Sequence, residues 1–370
     1  MTKASRAVRD MFTTSHLRKS VSSVPLSRLF PQLSYPAPLT LRASLRKMST
    51  AATSRRPIRL ILDFDGTITT SDTLAPLSRI GYNHASHQSP PRTLTPWSNI
   101  VDAYLSDYSQ HAASYTPTAE RRTTPTEEAA WLNSLEPIER ASARRAIDAG
   151  IWDGVSREEV EAAAGREMRK GNVRLRRGCK ELTEWAVRGS EQHGETGNGM
   201  EVSVVSVNWS RHWIWSVLKN GLDSSDDGEV AAEMLKKVPI FANELPSIAT
   251  LPAGDIAGAS TELRTSGDKL RCMQQQKSGQ GSEMNPPFVV YLGDSTTDLE
   301  CLAEADLGVC IRDEKIGSSQ KELAAVLERL KMDVRWIGEE KRYIEEDRKT
   351  IVWAKDFEVV KVWLSRYLRA

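Results

Sequence analysis

Ile58-Arg59-Leu60-Ile61-Leu62-Asp63-Phe64-Asp65-Gly66-Thr67 is the stretch of this 370-residue chain on which the reading of the fold turns. Ile58–Leu62 is apolar, too short for a helix, and stops at an acidic glycine turn, so it reads as a buried strand. Four further runs have the same character: Val202–Val207, Val238–Phe241, Phe288–Leu292 and Leu307–Ile311. Helical patterns at Lys180–Arg188, Arg211–Asn220, Asp298–Ala305 and Gln320–Leu330 lie between or after them. Strands that are apolar almost throughout, alternating with helices, call for an α/β, Rossmann-like fold: a parallel sheet covered by helices on both faces.

Well over a hundred residues separate the first strand from the second, too many for one crossover. Helical patterns fill much of that interval: Trp97–Gln110, Pro125–Ala149 and Arg157–Lys170, the last with Ser156 as N-cap and Glu159 three residues on. Trp97, Tyr104, Trp131, Leu135 and Trp152 give it a core of its own. Residues 74–172 are therefore expected to form a helical cap inserted into a core made of 58–73 and 173–370. Polar composition marks 84–96, 111–125, Gly189–Gly199, Asp223–Gly228 and Gln274–Pro287 as loops.

Residues 1–57 differ from the rest. They hold eleven Lys/Arg, one acid (Asp10) and the prolines Pro25, Pro31, Pro36 and Pro38. This is a basic, disordered leader, and an Arg- and Ser-rich, acid-poor leader has the composition of a mitochondrial transit peptide. A tail with no address and a start at Met48 are the other readings, so the expected location is mitochondrial or cytoplasmic. No run approaches the ~18–20 apolar residues of a membrane span. A net charge of +1, and a leader without interleaved aromatics, argue against a nucleic-acid partner. The four cysteines form no CxxC pair, which suits free thiols rather than a zinc site.

Asp63 and Asp65 stand two apart at a strand end, where side chains leave on the same side. Ligands of open α/β sheets bind at the carboxyl ends of the strands. A second acidic turn, Gly293-Asp294-Ser295-Thr296-Thr297-Asp298, follows the run Val289–Leu292. Each alone has a bland reading, an Asp-Gly turn or a capped helix start. Together, at two strand ends of one sheet, they form a set of hard oxygen ligands suited to Mg²⁺ and a phosphate, with Asp63 and Asp294 as ligands. One carboxylate can attack while the other, its pKa raised by its neighbour, donates a proton.

These residues resemble the motifs of the haloacid dehalogenase-like hydrolase superfamily. The resemblance implies Asp63 as a nucleophile that forms an aspartyl-phosphate. It implies Asp65 as general acid/base, with its backbone carbonyl on the metal. Ser206 and Lys269 would hold the phosphoryl group, with Gly66, Thr67 and Asn208 beside them and Lys277 as the competing lysine. Asp294 would bind the metal with Asp298 behind it. An insert between the first and second motifs is the cap position of phosphoserine-phosphatase-like members. Gly154–Val160 with Leu175–Gly178 resembles the end of such a cap. Asn243-Glu244-Leu245 and the block Asp294–Ile311 are similar to the phosphatase part of plant bifunctional thiamin-salvage proteins. The expectation is a Mg²⁺-dependent phosphatase acting on a small phosphorylated metabolite. A phosphotransferase, or a non-catalytic interaction protein on the same core, are the alternatives, and the oligomeric state is unspecified. Trp209, Trp213 and Trp215 read as packing residues.

Overall fold

A computed structural model describes residues 56–192, 200–223, 229–249, 256–278, 286–339 and 350–367. The expected leader lies outside the described residues except at its last two positions, as do 193–199, 224–228 and 279–285 of the expected loops. Among the described residues eight strands form one sheet: β1 (Ile58–Leu62), β2 (Met200–Val205), β3 (Ile240–Ala242), β4 (Gly258–Ser260), β5 (Phe288–Gly293), β6 (Leu307–Ile311), β7 (Val334–Trp336) and β8 (Thr350–Ala354). Their order is β4-β3-β2-β1-β5-β6-β8-β7, and every pairing is parallel. The chain starts in the middle at β1, builds outward through β2 to β4, and then crosses back to β5. The carboxyl ends of β1 and β5 therefore flank the point where strand order reverses, which is where such sheets open a crevice.

Between β1 and β2 run helices α1 (Leu74–His87), α2 (Trp97–Ser114), α3 (Pro125–Ser134), α4 (Glu136–Asp148) and α5 (Arg157–Arg169). The rest of the helices are α6 (Cys179–Gln192), α7 (Arg211–Leu222), α8 (Glu229–Leu235), α9 (Pro246–Ala249), α10 (Ser266–Ser278), α11 (Leu299–Glu304), α12 (Ser318–Arg329) and α13 (Phe357–Tyr367). Alternate residues of the strands face opposite layers. Leu60, Leu62, Val290 and Leu292 pack with Leu182 of α6, Trp213 of α7 and Val360 of α13. Ile61, Val289 and Tyr291 pack on the other side with Met273 of α10, Leu302 of α11 and Leu323 of α12. The expected α/β sheet with helices on both faces is what the chain forms.

The inserted helices enter and leave at one place. Thr69 bridges Leu175 in antiparallel fashion, Thr70 N–H donates to Arg174 O at 3.0 Å, and Arg176 N–H donates to Ile68 O at 2.7 Å. The Ser156–Glu159 capping box forms as expected, and Thr124–Glu127 makes a second one. Several boundaries differ from expectation. The single helix expected over Pro125–Ala149 is broken at Leu135, because Pro137 lacks the N–H a continuing helix needs and is tolerated only in a first turn. Helix α1 runs through the expected loop as far as His87, since Leu74, Leu77 and Ile80 give it a buried face. Helices α2, α6 and α10 likewise extend to Ser114, Gln192 and Ser278. The second strand ends at Val205, two residues earlier than expected.

Gly308 shows how closely one layer sits on the sheet. A Cβ there would stand 2.3 Å from the backbone oxygen of Leu302, the last buried leucine of α11 before the chain enters β6. Gly308→Ala is expected to cost about 2 kcal/mol of stability, read as a lower denaturation midpoint with an unchanged slope. A variant as stable as the parent would mean that α11 moves aside freely.

Candidate active site

The chain leaves β1 still paired, with Asp63 N–H donating to Leu292 O of β5 at 2.9 Å. Phe64–Ile68 then make one wide turn, closed by Thr69 N–H on Phe64 O at 2.9 Å. Gly66 sits in the left-handed region at φ +75°, and a Cβ there would lie 2.4 Å from Asp294 Oδ2. Only glycine fits so close an approach. The two acidic turns, 231 residues apart at Asp63 and Asp294, therefore meet. Arg176 holds the first turn from behind: its Nε donates to Thr67 O (2.9 Å), its Nη2 donates to Gly66 O (2.7 Å), and it pairs with Asp313. Sequence reasoning gave Leu175–Gly178 only as the return from the insert. A basic pair before a glycine is too common a pattern to disclose this role.

Lys269 enters from the first turns of α10 and is fully buried. Its Nζ donates to Asp63 Oδ1 and to Asp298 Oδ1, both at 2.7 Å. Tyr291 OH donates to Asp298 Oδ1 as well (2.8 Å). Asp298 Oδ2 accepts from the backbone N–H groups of Asp294 and Ser295 and from Ser295 Oγ, at 3.0–3.1 Å. One carboxylate oxygen from each of Asp63, Asp294 and Asp298 lies within 4.8 Å of the others. Asp298 is nonetheless a poor metal ligand, since both its oxygens are already committed and one faces an ammonium. Asp294 accepts only from Thr67 Oγ1 (3.3 Å) and Ser319 Oγ (2.8 Å). Asp63 and Asp294 thus keep lone pairs to offer, and the cluster sets three carboxylates against one ammonium.

That imbalance appears in the proton affinities. Burial, then the charges of Asp298 and Asp294, hold the Asp63 carboxyl above its usual range against the pull of Lys269. Burial and Asp298 push Asp294 up to about 7. Burial alone would lower the Lys269 ammonium, but Asp298 and Asp63 outweigh it and keep lysine charged. A divalent cation between Asp63 and Asp294 would remove the strain on the carboxylates, and the hard oxygen donors fit Mg²⁺.

Asp65 lines the same cavity but bonds to other partners. Its Oδ1 accepts from Thr73 N–H (2.9 Å) and Thr73 Oγ1 (2.7 Å), and its Oδ2 accepts from Asn208 Nδ2 (2.7 Å). Burial raises its pKa and these bonds moderate the rise. Trp213 Nε1 donates to Thr73 Oγ1 at 2.9 Å, so the fully buried tryptophan braces this arrangement. Asn208, expected beside the phosphate, spends its amide on Asp65. Ser206 Oγ accepts from Asn208 N–H (3.1 Å), which leaves the hydroxyl proton to donate. Ser210 is the N-cap of α7, accepting from Trp213 N–H. Lys277 lies eight residues beyond Lys269, about 12 Å along the helix, and away from the cluster.

Above these groups is a cavity of about 240 Å³. The insert contributes Tyr104, Tyr108, Trp131 and Glu139 to its wall, and the core contributes Trp209 and Glu322. Tyr104 OH donates to Glu139 at 2.7 Å. Trp97 and Trp152 instead stack edge-to-face with each other and with Trp209 behind the wall. Trp213 and Trp215 are buried as packing residues. Asp72, which the sequence did not single out, also lines the cavity, and burial with the nearby Asp65 pushes it up to about 8.

No family model matches the chain. It is 24% identical over 259 residues to Cold tolerance protein 1 of Saccharomyces cerevisiae, covering 65% of this chain and 74% of that protein. It is 22% identical over 182 residues to the bifunctional TH2 protein, mitochondrial, of Arabidopsis thaliana, covering 49% of this chain and 25% of the plant protein. Two solved phosphoserine phosphatases, one a phospho-aspartyl intermediate analogue and one with substrate bound, align at 14% identity over 83% and 74% of this chain. The alignments cover 99% and 98% of theirs, with TM-scores of 0.40 and 0.35.

Proposed function

We propose that this chain is a Mg²⁺-dependent phosphatase of the haloacid dehalogenase-like superfamily, hydrolysing a small phosphomonoester through an aspartyl-phosphate. The reading is supported above all by the convergence of Asp63 and Asp294 at two neighbouring strand ends, with Lys269 2.7 Å from Asp63. In this reading 58–73 and 173–370 are the core, and 74–172 is the cap that closes the cavity over it. Asp63, Asp294 and the backbone carbonyl of Asp65 would hold Mg²⁺, which when bound supplies positive charge against the phosphate oxygens.

This chain's own residues account for the rest. Asp63 attacks phosphorus and the ester P–O bond breaks. The leaving oxygen takes its proton from Asp65, whose pKa is raised by burial. Asp65, now ionised, accepts a proton from water as that water attacks the aspartyl-phosphate. The bond to Asp63 breaks and inorganic phosphate leaves. Lys269 and the Ser206 hydroxyl offset charge on the phosphoryl oxygens, where such enzymes place most of their stabilisation. A mitochondrial address agrees with the name of the plant relative and with the basic leader.

Asp63→Asn is expected to lose about a thousandfold or more of its turnover of a generic aryl phosphate while remaining folded, read as an unchanged far-ultraviolet circular dichroism spectrum. Substantial turnover by this variant would overturn the assignment. The second expectation concerns pH. Burial and Asp298 push the Asp294 carboxyl up to about 7 in the fold, from an ordinary value of about 4, so the folded state binds more protons between these limits and loses stability as pH rises through them. A bound Mg²⁺ would compete with that proton for the Asp294 carboxylate. The rise in melting temperature on adding Mg²⁺ is therefore expected to be larger near about pH 8 than near about pH 5. Equal shifts at both would exclude Asp294 as a ligand.

A further inference from the structure

Asn133 is the residue that joins the insert to the buried ion cluster. It sits at the carboxyl end of α3, beside Trp131 and Leu132, which line the cavity. Its Oδ1 accepts from Gly267 N–H at 2.9 Å, and its Nδ2 donates to Glu300 Oε2 at 3.0 Å. Gly267 lies in the first turn of α10, two residues before Lys269. Glu300 lies in the first turn of α11, two residues after Asp298. One amide from the insert thus bridges α10, which carries Lys269, and α11, whose N-cap is Asp298. The helices have a second tie beside it, Glu300 N–H donating to Ser266 Oγ at 3.2 Å.

The bond to Gly267 has a specific local effect. The first N–H groups of a helix have no partner within the helix. In α10, Asp268 N–H is served weakly by Thr265 Oγ1 (3.4 Å), while Gly267 N–H is served from the insert. Lys269 N–H makes a long bond to Thr265 O (3.3 Å). Without Asn133 the Gly267 N–H loses its partner, and the first turn, from which the stem of Lys269 starts, keeps only the Ser266–Glu300 tie to α11. Helix α3 is also pinned at its other end, where Glu128 pairs with Arg122 and with Arg329 of α12. The position of Asn133 is therefore set by how the insert seats on the core.

We propose that Asn133 is a positioning residue through which seating of the insert fixes Lys269 between Asp63 and Asp298. It touches no reacting group and acts through the first turns of α10 and α11. The catalytic part of the proposal rests on the phosphatase reading; the positional part does not.

The test compares the wild-type chain with Asn133→Ala and with the pair Asn133→Asp/Glu300→Gln. The pair keeps an acceptor for Gly267 N–H and reverses donor and acceptor toward residue 300. The first readout is the ammonium resonance of Lys269 in ¹⁵N-lysine-labelled protein. It is expected to be visible in the wild type, broadened by exchange in Asn133→Ala and restored in the pair. An unchanged Lys269 signal in Asn133→Ala would overturn the proposal. The second readout is turnover of an aryl phosphate. For Asn133→Ala, kcat is expected to fall about tenfold with KM within about twofold, and the pair is expected to recover most of kcat. A fall in stability with kcat unchanged would reduce Asn133 to a structural contact and equally overturn it. Absence of turnover in the wild type would instead count against the phosphatase reading, with the resonance still deciding the role of Asn133.

Discussion

A lysine closed off from solvent stands between two buried carboxylates, and the arrangement of this site depends on that contact. Removing one partner of a buried ion pair costs about 3–5 kcal/mol, because the remaining charge is left without compensation. Lys269 therefore constrains everything that carries its partners: β1 through Asp63, the turn after β5 through Asp298, and α10 through its own backbone. Asp298 answers this by saturating its other oxygen with two backbone N–H groups and a serine hydroxyl, so that it anchors rather than binds. The negative charge left over resides on Asp63 and Asp294, the pair that faces the cavity.

The sheet topology makes this contact possible. Because β1 lies between β2 and β5, the residues that follow all three strands (Asp63, Ser206 and Asp294) come out at one end of the sheet. Close approach then selects residue type. Gly66 is needed because Asp294 stands where a side chain would go, and Arg176 reaches in to hold the backbone oxygens of the turn that results. The two carboxylates of the first turn acquire different environments from their neighbours: Asp63 faces an ammonium, while Asp65 faces a threonine and an amide. Two acids two residues apart thereby differ in partners and in charge environment.

The insert supplies the other half of the cavity and is tied to the core by polar contacts rather than by a continuous apolar interface alone. Glu128 with Arg329, and Asn133 with Gly267 and Glu300, are bonds of that kind. Such contacts depend on direction, so they specify one seating of α3 on the core. Tyr104, Tyr108 and Trp131 then form the insert's side of the cavity wall.

The sequence by itself determined the central strands and both acidic turns, because a strand buried on both faces must be apolar throughout and the turn that ends it must carry glycine. Ser206 and Lys269 came only from the resemblance to family motifs, with Lys277 left as a competing lysine. The sequence did not disclose β4, whose Gly258–Ser260 carry no apolar pattern and are exposed; that strand exists through backbone pairing with β3, to which side chains contribute nothing. Nor did it disclose Arg176, Asp72 or Asn133, or that Asn208 would serve Asp65. Each of these acts through a neighbour remote in the chain, at a distance set only when the layers pack. A residue's type limits the bonds it can make, but the bond it does make is decided by which other unsatisfied group the fold brings within about 3 Å.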